Sequence, residues 1–168
     1  AEYRAEIEEE TIVGLGLIVQ LPTGQYLNDK LLNLGTNRVT FRPQLGATRT
    51  WGKLATEATL STWLYTDNDD FFGGILVEQD PLYAVSAHLI YLLQRGSWVS
   101  LDANYFTGGR TEVDGVRQDN RQDNSRWGLT WSRPLAPKHL LKVYASTGVV
   151  TRIGNDFDSF GLAWLYRF

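Results

Sequence analysis

The chain has 168 residues, 43% apolar, 12% aromatic and 21% charged, with a formal net charge of −3 and no cysteine. These values fit one folded domain spanning residues 1–168, and they exclude a disordered or collagen-like chain, a disulfide framework and a thiolate metal site. The small negative charge without a basic stripe argues against a nucleic-acid partner. No apolar run approaches the roughly 20 residues of a membrane helix, although strands that cross a membrane show apolar residues only at alternate positions.

In chain order, residues 1–10 read as a strand with Tyr3, Ala5 and Ile7 on one face, followed by a turn at Glu8, Glu9 and Glu10. Segments with period-two alternation then follow, the signature of strands whose two faces meet different surroundings. Residues 11–21 set Val13, Leu15, Leu17, Val19 and Leu21 against Ile12, Gly14, Gly16, Ile18 and Gln20. Residues 38–47 set Val39, Phe41, Pro43 and Leu45 against Arg38, Thr40, Arg42 and Gln44. Residues 53–66 set Leu54, Ala58, Leu60 and Leu64 against Lys53, Glu57, Thr59 and Ser61. Residues 82–94 set Tyr83, Val85, Ala87, Leu89, Tyr91 and Leu93 against Ser86, His88 and Gln94. Residues 98–107 set Val99, Leu101, Ala103 and Tyr105 against Ser100, Asp102 and Asn104. Residues 126–133 set Trp127, Leu129 and Trp131 against Arg126, Gly128, Thr130 and Ser132, and residues 140–149 set Leu141, Val143, Ala145 and Val149 against Lys142, Tyr144 and Ser146. Residues 158–168 close the series, with Phe160, Leu162, Trp164, Tyr166 and Phe168 opposite Ser159, Gly161, Ala163 and Arg167.

This last segment resembles the closing strand of a bacterial outer-membrane β-barrel, where the barrel-assembly machinery reads an alternating pattern with a terminal aromatic; Trp164, Tyr166 and Phe168 would be the residues read. The connections support the same fold. Residues 22–37, 67–81 and 108–125 are long, 48–52, 95–97 and 134–139 are short, and 151–157 is intermediate. Long and short loops therefore sort to opposite ends, as extracellular loops and periplasmic turns do. The expected fold is all-β, an antiparallel up-and-down transmembrane β-barrel with eight readable strands. Counting residues 1–10 gives nine, and bacterial single-chain barrels have an even number, so an upstream portion is expected. Mid-strand Arg42, Glu57, His88, Asp102, Arg126 and Lys142 on the polar faces suit a wet lumen, and the uncharged, Trp-rich faces suit lipid. With residues 48–52 as a turn, Arg42 and Glu57 become cross-strand neighbours. Trp63, Tyr65, Trp98 and Phe106 fall on the polar side against this pattern and mark either a barrel mouth or a β-bulge.

Several groups carry a possible chemistry. Ser86, His88, Ser100 and Asp102 lie on polar faces of adjacent strands, and read as a Ser–His–Asp hydrolase or as a lumen hydrogen-bond network. Asp67, Asn68, Asp69 and Asp70 offer oxygen ligands to calcium but lack EF-hand spacing and its closing Glu, and read in preference as a solvated loop tip or a contact with lipopolysaccharide cations. No metal or cofactor is expected. Residues 117–124 repeat Arg-Gln-Asp-Asn twice, which makes Arg117 and Arg121 candidates for a pore-constricting loop or parts of a hydrophilic surface loop. Phe71 and Phe72, beside Gly73 and Gly74, suit either capture of an aromatic solute or packing on a rim.

The stretches GLGLIVQLPTG (14–24), LLNLGTNRVTFRPQLG (31–46), YTDNDDFFGG (65–74), EQDPLY (78–83), GGRTEVDGVRQDNRQDNSRWG (108–128) and STGVVTRIGNDFDSFGLAWLYRF (146–168) occur in this order. As a set they resemble the outer-membrane family of transporters assigned to the meta-cleavage pathway of phenol degradation. The resemblance implies a barrel of more than eight strands, a cleaved signal peptide, a chain matching the carboxy-terminal two-thirds, and uptake of aromatic compounds. It supplies no binding residues.

The function expected is passive uptake of small aromatic or hydrophobic solutes through the outer membrane of a Gram-negative bacterium, without enzymatic activity. Outer-membrane lipid, lipopolysaccharide, the assembly machinery and a small solute are the partners. A plugged structural or adhesion barrel and a barrel lipid hydrolase are the alternatives, since eight strands leave an interior that side chains can fill.

Overall fold

Hairpin turns set the register from which everything else follows. In the computed structural model, which describes residues 9–168, the strands are β1 (Glu10–Gln20), β2 (Thr40–Trp51), β3 (Leu54–Tyr65), β4 (Asn68–Phe71), β5 (Ile75–Gln79), β6 (Leu82–Leu92), β7 (Trp98–Gly108), β8 (Thr111–Val113), β9 (Val116–Arg117), β10 (Gln122–Ala136), β11 (His139–Thr151) and β12 (Ser159–Tyr166). The eight long strands form one antiparallel sheet in the order β1-β2-β3-β6-β7-β10-β11-β12, so each pairs with its neighbour in the meander. All eight segments expected from residue 11 onward are present. The strand expected in residues 1–10 lies, but for its last two residues, outside the described residues. The main sheet has two edges, β1 and β12, and is not closed on itself.

One register expectation is corrected. The β2–β3 turn is two residues, Gly52 and Lys53, between the paired Trp51 and Leu54. Gly52 sits at φ 58°, a conformation that costs a residue without Cβ nothing. A two-residue turn pairs Glu57 with Thr48, not with Arg42, which lies further along the same face. Arg42 and Thr48 are six residues apart, an even number, so the partner of Glu57 moves along the strand but stays on the same face.

The register aligns one polar row across all eight strands: Ile12, Thr48, Glu57, His88, Asp102, Gly128, Ser146 and Ser159 are successive Cα partners. On the other side Leu15, Leu45, Leu60, Val85 and Tyr105 form an apolar row across the first five of these strands. The polar side is the sheltered one, as the inner side of a curved sheet is, and the apolar side is bare. Leu15 is 86% exposed, Phe160 73% and Trp164 66%, whereas only Ala55, Leu82 and Ala84 are buried apolar residues among those described. Apolar surface on this scale marks a face made for something other than water.

The four short strands form a second sheet in the order β4-β5-β8-β9. It is built from the two connections 67–81 and 108–125, which the sequence presents as plain loops. Val77, Glu78 and Gln79 of β5 pair with Val113, Glu112 and Thr111 of β8, tying one loop to the other. Asp114 and Gly115, at φ 50° and 75°, make the tight β8–β9 turn. The loop 22–37 joins the same cluster: Tyr26 donates to the Asp70 carbonyl at 3.2 Å, Asn28 to the Asp70 carboxylate at 3.0 Å and Asn37 to Asn68 at 2.9 Å.

Candidate functional site

The polar side of the main sheet carries the side chains with chemistry to offer. On it His88 Nδ1 lies 2.6 Å from Asp102 Oδ1 across the β6–β7 pair. Ser100 donates to both oxygens of Asp102, at 3.1 and 3.2 Å, and Thr130 of β10 donates to Oδ2 at 2.9 Å. Three strands thus converge on one carboxylate that is sheltered but not sealed, its side chain 19% exposed. Ser86 turns to Asn104, at 2.7 Å. Neither serine bonds to the imidazole, so no hydroxyl is set up to give its proton to His88, and the nucleophile–base contact of a triad is absent among the described residues. The arrangement is a hydrogen-bond network that holds a charge inside the sheet.

The second feature is a set of cations seated on aromatic rings, within the reach of cation–π attraction. The Arg42 guanidinium lies 4.7 Å from the centre of the Trp63 ring, Arg38 4.3 Å from Tyr65, and Lys142 5.8 Å from Trp98. Arg126 lies 4.0 Å from Phe157 and donates to the Ser146 hydroxyl at 2.8 Å and the Phe157 carbonyl at 2.6 Å. Trp63 and Phe106 pack with ring centres 6.2 Å apart. These pairs explain the four aromatics that broke the sequence pattern. The β2–β3, β3–β6 and β6–β7 pairings have no register shift, so no bulge turns Trp63, Tyr65 or Phe106 over. They lie near strand ends on the polar side, where a cation or another ring covers each. Arg38 also donates to Gln79 at 2.6 Å, and burial lowers its pKa from the ordinary value while the neighbouring Tyr65 opposes the shift.

The expected lumen residues Arg42, Glu57, His88, Asp102, Arg126 and Lys142 therefore all share one side of the sheet, but only His88 and Asp102 are joined directly. Thr130 and Arg38 belong to the same constellation and were not singled out from sequence, although both sit in the polar halves of alternating segments. The loop candidates separate. Phe71 and Phe72, ring centres 6.5 Å apart, sit at the β4–β5 hairpin. Arg117 bonds Asp80 and Glu112, each at 3.3 Å. Arg121 donates to the Thr107 hydroxyl at 3.1 Å, and Thr107 pairs with Tyr83 on the apolar side, so this guanidinium lies outside the polar face. Asn68 and Asp70 are spent on loop contacts, and among the described residues no three of His, Cys, Asp and Glu gather as metal ligands would.

An up-and-down antiparallel sheet with a sheltered polar side and a bare apolar side is the wall pattern of transmembrane β-barrels, the inverse of a soluble barrel. The chain belongs to the family described as "Putative MetA-pathway of phenol degradation", whose model matches residues 8–164. It is similar to the crystal structure of an outer membrane channel from Pseudomonas putida F1, with 27% sequence identity and a TM-score of 0.80. The match covers 98% of this chain, which spans 62% of the length of that channel. Among curated proteins none matches the sequence.

Proposed function

We propose that the chain is part of the wall of an outer-membrane β-barrel channel that admits small aromatic or hydrophobic solutes by passive diffusion. The observation that carries this reading is the sidedness of the main sheet: the mid-strand charges Arg42, Glu57, His88, Asp102, Arg126 and Lys142 all lie on the sheltered face, whereas Leu15, Leu60, Leu101, Leu129 and Trp164 point outward. An open sheet edge presents N–H and C=O groups that lipid cannot satisfy, so in the membrane β1 and β12 are both paired in a closed wall. Membership in the phenol-degradation family and likeness to a bacterial outer membrane channel support transport in preference to catalysis. So does the lack of a serine on His88.

The cation–aromatic pairs favour an aromatic solute. A flat ring passing Arg38, Arg42 and Arg126 finds guanidinium planes to stack on, and a phenolate or carboxylate finds their charge. The test is planar-bilayer recording with the full protein, followed by proteoliposome uptake of phenol and benzoate. Discrete openings and uptake above protein-free liposomes are expected. An inserted protein without openings sinks the channel and favours a plugged scaffold.

A further inference from the structure

At the long-loop end of the apolar side there is a cavity of about 430 Å³, lined by Asp80, Tyr83, Thr107, Arg110 and Arg121. Its floor belongs to the outward surface: Tyr83 and Thr107 are paired neighbours on β6 and β7, and Tyr83 is 51% exposed. Its upper wall is cationic. Neither Arg110 nor Arg121 forms an ion pair among the described residues, and the Arg110 Nε is shielded from solvent with no hydrogen-bond partner. The one lining carboxylate, Asp80, is already engaged by Arg117 at 3.3 Å. Nearby Asp123 accepts from the Tyr105 hydroxyl. Two guanidiniums are thus left without a counter-charge beside Tyr83 of the bare apolar band, Arg121 being held there by the Thr107 hydroxyl at 3.1 Å.

We infer that this cavity is a binding site for the phosphate of an outer-leaflet glycolipid, with Arg110 and Arg121 as its ligands and Tyr83 under the sugar. The inference rests on the outer-membrane reading above, which puts the long loops at the outer surface. Guanidinium forks match phosphate oxygens, and a shielded, unpaired N–H is costly until an anion accepts from it. A soluble anion would satisfy the arginines equally. What favours a lipid is continuity: the cavity opens at the border of the apolar band, where acyl chains would lie along Val85 and Leu89, both 44% exposed.

The experiment uses the full protein in detergent, with bisphosphorylated lipid A, its dephosphorylated counterpart and inorganic phosphate as probes, read by native mass spectrometry. Lipid A should bind about ten-fold more tightly than the dephosphorylated form, and the Arg110→Gln/Arg121→Gln protein should lose about that factor. Arg133→Gln, the loss of one charge at the opposite rim, should leave binding unaltered. Equal retention of dephosphorylated lipid, an unaltered double variant, or displacement of lipid A by equimolar inorganic phosphate overturns the inference. Liposome flotation keeps the two readings apart. A protein that floats but shows no phosphate preference overturns this site alone, whereas one that does not float overturns the outer-membrane reading and the site with it.

Discussion

Replacing Leu101 by Arg asks which side of the sheet meets lipid. Tyr83 and Tyr91 are the outward aromatics near the two ends of β6, eight residues apart. That is about 27 Å along the strand and about 21 Å in height at a tilt of roughly 40°, close to the apolar band of a membrane barrel. Tyr83 pairs with Thr107 and Tyr91 with Val99, so the midpoint on β7 is Ala103. Leu101 is two residues from it, about 5 Å off centre. A charge costs about 2–4 kcal/mol at the midplane and about 0–1 kcal/mol near the interface, which puts Leu101→Arg at about 2 kcal/mol. Leu93→Arg, at the turn end of the same face, should cost less than about 1 kcal/mol. In water the outcome differs. Leu101 is 44% exposed, and a surface change of this kind stays within about 0.5 kcal/mol of zero. The assay is equilibrium unfolding from liposomes by guanidinium, followed by tryptophan fluorescence. Two variants of equal cost, or a Leu101→Arg protein as stable as wild type, would refute the assignment of the apolar side to lipid.

The Tyr144 ring lies across Gly161, its cross-strand partner, and occupies the space a Cβ would need. Gly161→Ala should therefore cost about 1–3 kcal/mol, and Tyr144→Ala made with it should recover much of that, a non-additivity that a double-mutant cycle measures. Asp102→Ala removes the acceptor shared by Ser100, Thr130 and His88. Because the Asp102 side chain is 19% exposed, the loss in unfolding free energy should be about 1 kcal/mol, and a loss above about 3 kcal/mol would mean a sealed interior. Among the polar-face residues Arg42, Glu57, His88, Asp102, Arg126 and Lys142, cations outnumber carboxylates by one with His neutral. Arg42→Gln cancels that excess, and the reversal potential in a salt gradient should show anion preference falling by about two-fold. An unshifted potential would show that Arg42 does not line the ion path.

The main sheet was legible because alternation is a long-range signal. Seven residues in alternation, as Tyr83 to Leu89 of β6 and Val99 to Tyr105 of β7, already mark a strand. The small sheet was not, because β9 has two residues and β8 three, too few for any period to show. Asp114-Gly115 is a hairpin signal within that stretch, but without flanking alternation it does not define the strands it joins. Register failed where the alternation itself says nothing: a shift by an even number keeps every residue on its face, so only the Gly52–Lys53 turn could tell that Glu57 faces Thr48. The His88–Asp102 contact was legible because β6 and β7 are joined by a short turn with little freedom. Thr130 was not, since its role appears only when β10 is laid beside β7. Trp63 and Phe106 broke a hydrophobicity rule that counts residues one at a time. They obey a pairwise rule, in which a ring on a polar face is acceptable once a guanidinium or a second ring covers it.

The backbone ladder between β5 and β8 has a consequence for how this molecule can diverge. Segments 67–81 and 108–125 are far apart in sequence, yet they share hydrogen bonds strand to strand. Adding or deleting one residue in either segment would put Val77 or Val113 out of step and turn its side chain over. Variation in length should therefore come as matched changes in both segments, or fall in the Phe72–Gly73–Gly74 and Asp114–Gly115 tips, where no rung is disturbed.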